Sequence, residues 1–464
     1  MYTMGAALLA LVALGSQDAY LTSNPTVTWW KASYRRYTMF SQEHIPQTVS
    51  GTVDFGAQRL SCTITRHADM LSDLYMTVRL PSLIPYTADF FDGAVTTQIP
   101  VINQYCDYAA LALLEMADFE IGGSRIDRLY SSYIYAIHDL GVASSHRAGI
   151  ETILGNALIS KRETETECVV PLPFWFTSHP GLSISLVSLQ YHECRLTFSL
   201  NSLSHLTKKY YDQATSSIRI FTERDDGAPL GVGEDITNAT RRELAADMIA
   251  GGLELQIWGQ YTFLDAVERK KFALSSSESL ITQTQQTVES IGTGSSRTVV
   301  RLNINHPVVE LIVLPQSAAA KSLNAHFNFY SSSDILTHID VGSLSTVTTS
   351  QGYFNPCTEV VLKLNNHELQ TGVPGSRLNL YTPYRTHTAV PQDKGIMVMP
   401  FCLSPETAAV QPSGSINFSR IDSAVLELEW DARFSVDGGD VTVYARNLNV
   451  LRWAGGMAGV GFSN

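Results

Sequence analysis

The chain has little charge, no paired cysteines and no long apolar run, and each shortage excludes something. Only 16% of its 464 residues are Asp, Glu, Lys or Arg, against about a quarter in ordinary soluble domains. So sparse a charged surface suits a molecule that is largely covered by partners. The net charge is -12 and no basic tail or run is present, which argues against direct binding of nucleic acid through a polybasic arm. The six cysteines stand at 62, 106, 168, 194, 357 and 402. No two form a C-x-x-C pair and no Cys/His group has zinc-finger spacing, so they read as buried free thiols of a reducing compartment, with no metal. No segment reaches the roughly 20 apolar residues that cross a bilayer. The nearest is Ala6 to Leu14, followed by Gly15 and Ser16. It lacks the basic residues that open a signal peptide. It reads instead as an apolar docking arm, residues 1–24, carried by Leu8, Leu9, Leu11, Val12 and Leu14.

Catalytic motifs are missing as well. Gly292-Thr293-Gly294-Ser295 lacks the Gly-Lys-Ser/Thr that makes a P-loop. Gly231-Val232-Gly233 has no third glycine and no βαβ setting. His192-Glu193 starts like a zinc-protease motif, but Leu196 stands where the second histidine is needed. No G-x-S-x-G elbow occurs. Glu427 and Glu429 share a strand face as a glycosidase pair would, yet alternation against Leu426 and Leu428 explains them as a solvated face. Asp437-Gly438-Gly439-Asp440 reads as a hairpin turn rather than a calcium loop. No catalytic residue, cofactor or metal ligand is therefore expected.

What the chain does have is period-two alternation, the mark of half-buried strands. Leu74, Met76, Val78 and Leu80 oppose Tyr75, Thr77 and Arg79. Cys194, Leu196, Phe198 and Leu200 oppose Arg195, Thr197 and Ser199. Leu253 to Phe263, Leu426 to Trp430 and Val441 to Ala445 behave alike. Helices are few: one or two short ones in Ser131 to Ile153, and another in Asn238 to Ile249, both placed as loop decorations. Asn238 begins a glycosylation tripeptide, as does Asn417, whose strand setting beside Phe418 makes it inaccessible.

The order of features occurs twice. Phe119 to Ile126, a strand, a Gly122-Gly123 turn and a second strand, matches Val361 to Leu369 with its Asn365-Asn366 turn. Pro173-Phe174-Trp175-Phe176 matches Pro400-Phe401-Cys402-Leu403. Ser188 to Leu200 matches Asn417 to Trp430, and Leu253 to Phe263 matches Val441 to Val450. With length enough for two domains, this implies two copies of one β-sandwich, 25–272 and 273–464. Composition places the join in the Ser-, Thr-, Gln- and Gly-rich stretch Lys271 to Ser295.

Several runs carry a resemblance. They are Asp18 to Pro25, with Asn24 and Pro25; Trp29-Trp30-Lys31 and Tyr34 to Thr38, with Arg35 and Arg36; Phe119 to Arg128, with Gly122, Gly123 and Asp127; Pro180-Gly181-Leu182; and Leu189 to Glu193. Further along are Phe263-Leu264-Asp265 with Glu268, Arg269 and Phe272; Leu302 to Pro307, with His306 and Pro307; Gln411 to Gly414, with Pro412 and Gly414; Asn417 to Asp422, with Phe418, Arg420 and Asp422; and the ending Asn449 to Arg452, Gly455 to Met457 and Ser463-Asn464. In this order, over nearly the whole chain, they resemble the major capsid proteins of nucleocytoplasmic large DNA viruses. The resemblance implies an all-β chain of two tandem eight-stranded antiparallel jelly rolls, with short helices in loops. It implies a homotrimer of pseudo-hexagonal outline, tiling an icosahedral shell with neighbouring capsomers, minor capsid proteins and a penton protein over an internal membrane. Assembly would take place in host cytoplasm, without direct contact with nucleic acid. Read alone, Pro412-Ser413-Gly414 forces a turn, and Arg420 and Asp422 sit two apart on one strand face, spaced for an ion pair. The competing readings are a secreted β-sandwich carbohydrate enzyme or lectin, and a double-jelly-roll protein of a smaller virus.

Overall fold

The computed structural model describes residues 5–26, 28–30, 36–83, 86–91, 96–103, 105–155, 167–207, 209–212, 217–220, 222–224, 249–250, 252–330 and 355–462. The expected helix from Asn238, and Asn238 itself, lie outside them, as do Lys31 to Arg35. Met1–Phe40 and Ser41–Asn464 form separate units. In the first, α1 (Ala6–Val12) and α2 (Ser16–Thr22) are short helices. The Gly15 N–H donates to the Asp18 carboxylate at 2.9 Å, supplying an acceptor that a glycine cap lacks.

The second unit contains the duplicated sandwich. Its first eight principal strands are β1 (Phe40–Gln47), β2 (Leu60–Ile64), β3 (Met70–Arg79), β4 (Leu114–Ile121), β5 (Ser124–Tyr130), β6 (Cys168–Pro171), β7 (Cys194–Leu200) and β8 (Glu254–Leu264). They pair as β1-β8-β3-β6 in one sheet and β2-β7-β4-β5 in the other. The next eight are β9 (Ser277–Ile291), β10 (Arg297–Arg301), β11 (Pro307–Ser317), β12 (Cys357–Leu364), β13 (His367–Val373), β14 (Met397–Pro400), β15 (Ala424–Trp430) and β16 (Gly439–Ala454). They pair as β9-β16-β11-β14 and β10-β15-β12-β13, the same orders again. First pairs with eighth, third with sixth, second with seventh and fourth with fifth, which is jelly-roll topology. A short β17 (Met457–Val460) folds back on the end of β16.

The repeat extends to register. Phe119 faces Asp127 and Leu362 faces Gln370, with a bulge at the next step in each hairpin. Both hairpin turns carry two successive positive φ angles, 59° and 81° at Gly122-Gly123 and 50° and 64° at Asn365-Asn366. That is the two-residue turn whose twist suits paired strands, and Gly and Asn are the residues that tolerate it.

Two expectations need correction. The stretch from Lys271 to Ser295 is not mainly a linker. Residues 266–274 form a helix and 277–291 form β9, paired along its length with β16. Serine, threonine and glutamine there face outward or into the contact between rolls, so composition alone misread a half-polar strand as a loop. Asp437-Gly438-Gly439-Asp440 does not close a hairpin either. β15 and β16 lie in different sheets and a helical turn, Ala432–Ser435, joins them. The glycines instead permit a close approach: a Cβ on Gly439 would lie 2.2 Å from the Gln316 carbonyl oxygen. The helices expected in Ser131 to Ile153 are present as α3 (Ser131–Gly141) and α4 (Ser144–Ile153).

Candidate functional site

The most elaborate chemistry in the chain lies where the two rolls meet. β5 and α3 of the first roll pack against β9 and the outward face of the β9-β16-β11-β14 sheet. The Thr284 N–H donates to Asp127 Oδ1 at 2.9 Å, and the Gln283 amide donates to the Ile126 carbonyl. The Ser132 hydroxyl meets the Tyr444 hydroxyl at 2.6 Å. Tyr135 stacks on Phe327 with centroids 4.9 Å apart. Asn324 donates to the Ser204 and Thr207 carbonyls at 2.8 and 2.6 Å. Apolar packing follows the same path: Ile312, Leu314, Val398, Leu451 and Trp453 of the second roll belong to the first roll's buried cluster. Leu311, Val313, Val441 and Val443, one residue out of phase, fill the second roll's own core. One sheet thus serves two cores, which is why β11 is buried at eight successive positions, Val308 to Pro315.

A cavity of about 310 Å³ lies in this contact, lined by Asp127, Tyr133 and Trp175 from the first roll and by Glu310, His387 and Arg446 from the second. Glu310 is wholly buried, 3.0 Å from His387 Nε2 and 3.4 Å from Arg446. Burial pushes its carboxyl up, but the hydrogen bonds and charges of His387 and Arg446 outweigh that and hold it below the usual range. Asp127 behaves oppositely. Burial lifts it to about 7 against the opposing N–H bonds of Thr284 and Arg128. Asp393, buried nearby in sequence terms to Gln392, is likewise lifted by burial to about 7; Asp139 of α3 accepts from the Gln392 N–H at 2.9 Å, tying the rolls together again. Trp175 Nε1 has no hydrogen-bond partner among the described residues. No group of three or more metal-ligating side chains occurs among the described residues.

The residues singled out by sequence scatter over the molecule. Asp127 falls in the contact between rolls. Gly122 and Gly123 form its adjoining turn. His306 takes a positive φ of 67°, its N–H donating to Ser419 Oγ at 2.7 Å, and Pro307 begins β11 opposite Asn417. Pro412 is exposed, and Gly414 packs close to Phe401 and Cys402. Asn24, Pro25 and Arg36 are exposed, and Leu8, Leu9, Leu11, Val12 and Leu14 are all more than half exposed.

Asn417 is a correction: it is exposed, because its strand is only two residues long and Phe418 alone turns inward. Arg420 and Asp422 are a second. They lie in a 3-10 turn and the loop after it, not on a strand, and form no ion pair with each other. Glu427 faces outward as read, between Lys363 at 2.9 Å and Arg297. All six cysteines are free, and five are buried. Sequence reasoning missed Glu310, His387 and Arg446. The available signal was one acidic residue inside the apolar run Val308 to Leu314.

Comparison with known proteins decides what kind of molecule this is. Residues 28–265 match the family described as major capsid protein N-terminus, and residues 268–459 match the large eukaryotic DNA virus major capsid protein family. The chain belongs to the major capsid proteins of large eukaryotic DNA viruses. It is 31% identical to the major capsid protein of Phaeocystis pouchetii virus and 30% identical to that of Paramecium bursaria Chlorella virus 1. Each match covers 99% of this chain and 100% of the relative. Among solved structures, the PBCV-1 virus capsid matches with a TM-score of 0.70 at 26% identity, over 94% of this chain and 100% of that one. The Faustovirus major capsid protein, 13% identical, shares the fold with a TM-score of 0.68 over 97% of this chain. The protein is thus a structural component of a virion shell. The carbohydrate enzyme and lectin readings find no support.

Proposed function

We propose that this capsid chain works as a homotrimer of pseudo-hexagonal outline, six rolls around one axis, tiling an icosahedral shell by burial of complementary surface, with no catalytic step. The observation that supports this reading is the shared sheet β9-β16-β11-β14. Because it serves two cores, the two rolls form one rigid block rather than two beads on a linker, as a tile must. We divide the chain into an arm, 1–24, a first roll, 25–272, and a second, 273–464. The block meets neighbouring capsomers, minor capsid proteins and a penton protein, and assembles in host cytoplasm. The arm turns its exposed leucines toward minor proteins or an internal membrane. An unpaired apolar helix at a terminus invites association, and burying three or four such side chains contributes roughly 5–10 kcal/mol before ordering costs.

Light scattering tests the trimer. The expected mass is three times 51.0 kDa, and a stable monomer at micromolar concentration overturns it. Deleting residues 1–24 should leave trimers folded and reduce particle yield in infected cells. Normal yield would show that the arm is dispensable.

A further inference from the structure

The contact between rolls holds a buried carboxylate without a counter-charge, and it lines the cavity described above. Asp127 is 6% exposed. It uses one oxygen, Oδ1, for both of its hydrogen bonds, from the Arg128 and Thr284 N–H groups. Oδ2 has no hydrogen-bond partner among the described residues. The arginines at hand are engaged elsewhere. Arg128, next in sequence, pairs with Asp118, and Arg446, on the same cavity, pairs with Glu310. Burial is therefore the largest influence on the Asp127 carboxyl.

The cavity wall has two characters. Tyr133, Ile137, Leu140 and Phe174 make an apolar, partly aromatic side. On the rest, the carboxylates of Asp127, Glu310 and Glu406 stand against one guanidinium, that of Arg446, and the His387 imidazole. Charge is matched within the Glu310–His387–Arg446 group, which leaves Asp127 and Glu406 as the excess. Glu406 accepts from the uncharged Thr388 N–H and hydroxyl. Gly141 and Ser178, both exposed, mark the mouth. A Cβ on Gly141 would lie 3.9 Å from Glu406 Oε1 and meet nothing nearer. The volume of about 310 Å³ reaches the lower bound of small-molecule pockets, about 300 Å³.

A buried carboxylate with no counter-charge is relieved by a proton or by a cation. A metal ion fits poorly, since no group of three or more ligating side chains occurs among the described residues. An anion would meet an excess of carboxylate. An organic cation meets Asp127 and Glu406 with its charge, aromatic faces that attract cations, and an apolar wall for its body.

We propose that this cavity binds a small organic cation, an alkylammonium with a short aliphatic body, whose ammonium group seats on Asp127 Oδ2 and whose chain lies along Tyr133, Ile137, Leu140 and Phe174. The ligand joins the two rolls, because Asp127 and the apolar wall belong to the first, and Glu310, Glu406 and Arg446 to the second.

The test titrates the purified full chain with hexylamine, hexanol and hexanoate at pH 8 by calorimetry. Hexylamine should bind at least tenfold more tightly than either of the others and raise the melting temperature. Asp127→Asn keeps an acceptor for the Thr284 N–H but has no charge, and should bring hexylamine down to the level of hexanol. Gly141→Phe fills the mouth without touching Asp127. It should weaken hexylamine at least tenfold with circular dichroism unchanged, and it decides the matter if Asp127→Asn does not fold. Hexylamine stays protonated from pH 6 to pH 8, as lysine does. Asp127 titrates near 7, so the affinity should rise about tenfold over that range. Tyr133, Glu310, His387, Glu406 and Arg446 face the same space, and a flat profile in Asp127→Asn assigns the rise to Asp127. Hexanol binding as tightly as hexylamine would show an apolar cavity and nothing more. Tighter binding of hexanoate would make Arg446 the anchor and reverse the sign of the ligand. Undiminished binding to Asp127→Asn, or no heat with hexylamine, also overturns the proposal.

Discussion

β3 and β11 hold the same place in two copies of one fold, yet they are written differently. β3 reads Met-Leu-Ser-Asp-Leu-Tyr-Met-Thr-Val-Arg, with buried and partly exposed positions interleaved over most of its length. β11 reads Pro-Val-Val-Glu-Leu-Ile-Val-Leu-Pro-Gln-Ser and is buried almost throughout. Topology is equal, so the difference comes from the outward face, half-open on β3 and pressed against the other roll on β11. A strand covered on one side alternates, and a strand covered on both sides becomes a continuous apolar run. The pattern therefore reports how many faces are covered as well as which residues form strands.

The largest expected effect breaks the buried triad on the covered side. The proline that ends each sixth strand fixes the comparison: Pro171 faces Tyr75 and Pro400 faces Glu310. Glu310→Gln removes the charge that compensates Arg446, which is 13% exposed. Breaking a buried pair from one side costs about 3–5 kcal/mol. Tyr75→Phe at the matching position should stay within about 0.5 kcal/mol. Urea unfolding of the purified chain measures both. Equal effects would mean that the two faces are equally covered.

Next comes apolar packing on that face. Ile312 is wholly buried against the first roll, so Ile312→Ala should cost about 2–4 kcal/mol. Gln256, on the outward face of β8, is exposed, and Gln256→Ala should cost less than about 0.5 kcal/mol. A loss above about 1.5 kcal/mol in the isolated chain would show that something in the same chain already covers the first roll's face.

Much of this architecture was legible before any coordinates. The strands, their doubling and the matching of the Gly122-Gly123 and Asn365-Asn366 turns follow from alternation and turn chemistry, which are local. The triad was not legible, because Glu310, His387 and Arg446 meet only through the pairing of β11 with β16 and the return of the loop before β14. β9 was misjudged for a related reason. Its Gln283 and Thr284 are polar because they bond across to the first roll, Gln286 donates to the Tyr444 hydroxyl that lies in the same contact, and a polar contact between rolls looks like a linker in one dimension. The Arg420–Asp422 reading failed because spacing of two implies one face only within a strand.

A third prediction concerns pH. Asp127 titrates near 7 in the folded chain because burial disfavours its charge, against about 3.9 unfolded. Between those values the folded state holds a proton that the unfolded state has lost, so this group's contribution to stability falls as pH rises from about 4 to about 7, and is level above that. Asp127→Asn keeps an acceptor for the Thr284 N–H but cannot ionise. Its melting temperature relative to the unsubstituted chain should therefore rise between pH 4 and pH 7 and then stay level. A difference independent of pH would show that Asp127 is not buried in its neutral form, and that the contact between rolls is wetter than the structure has it.

The smallest effect separates the two turns themselves. Their φ angles agree, but their surroundings do not. A Cβ on Gly122 would lie 2.5 Å from His192 Nδ1, and that ring is held 3.0 Å from the Ala458 carbonyl oxygen of β17. Gly122 is thus small because a side chain of the first roll must pass it to reach the second. Asn365 has no such neighbour to admit. Its side-chain oxygen accepts from the Ser423 N–H at 3.0 Å, closing the turn locally. Exchanging the residues should then be asymmetric. Gly122→Asn suits the turn's backbone but displaces His192, costing about 1–2 kcal/mol through a lost contact between rolls. Asn365→Gly loses one hydrogen bond at an exposed turn, about 0.5–1 kcal/mol. The discriminating measurement is hydrogen exchange at the Ala458 amide, which should accelerate in Gly122→Asn and stay unchanged in Asn365→Gly. Protection unchanged in both would mean that His192 does not depend on the glycine, and that Gly122 serves the turn alone.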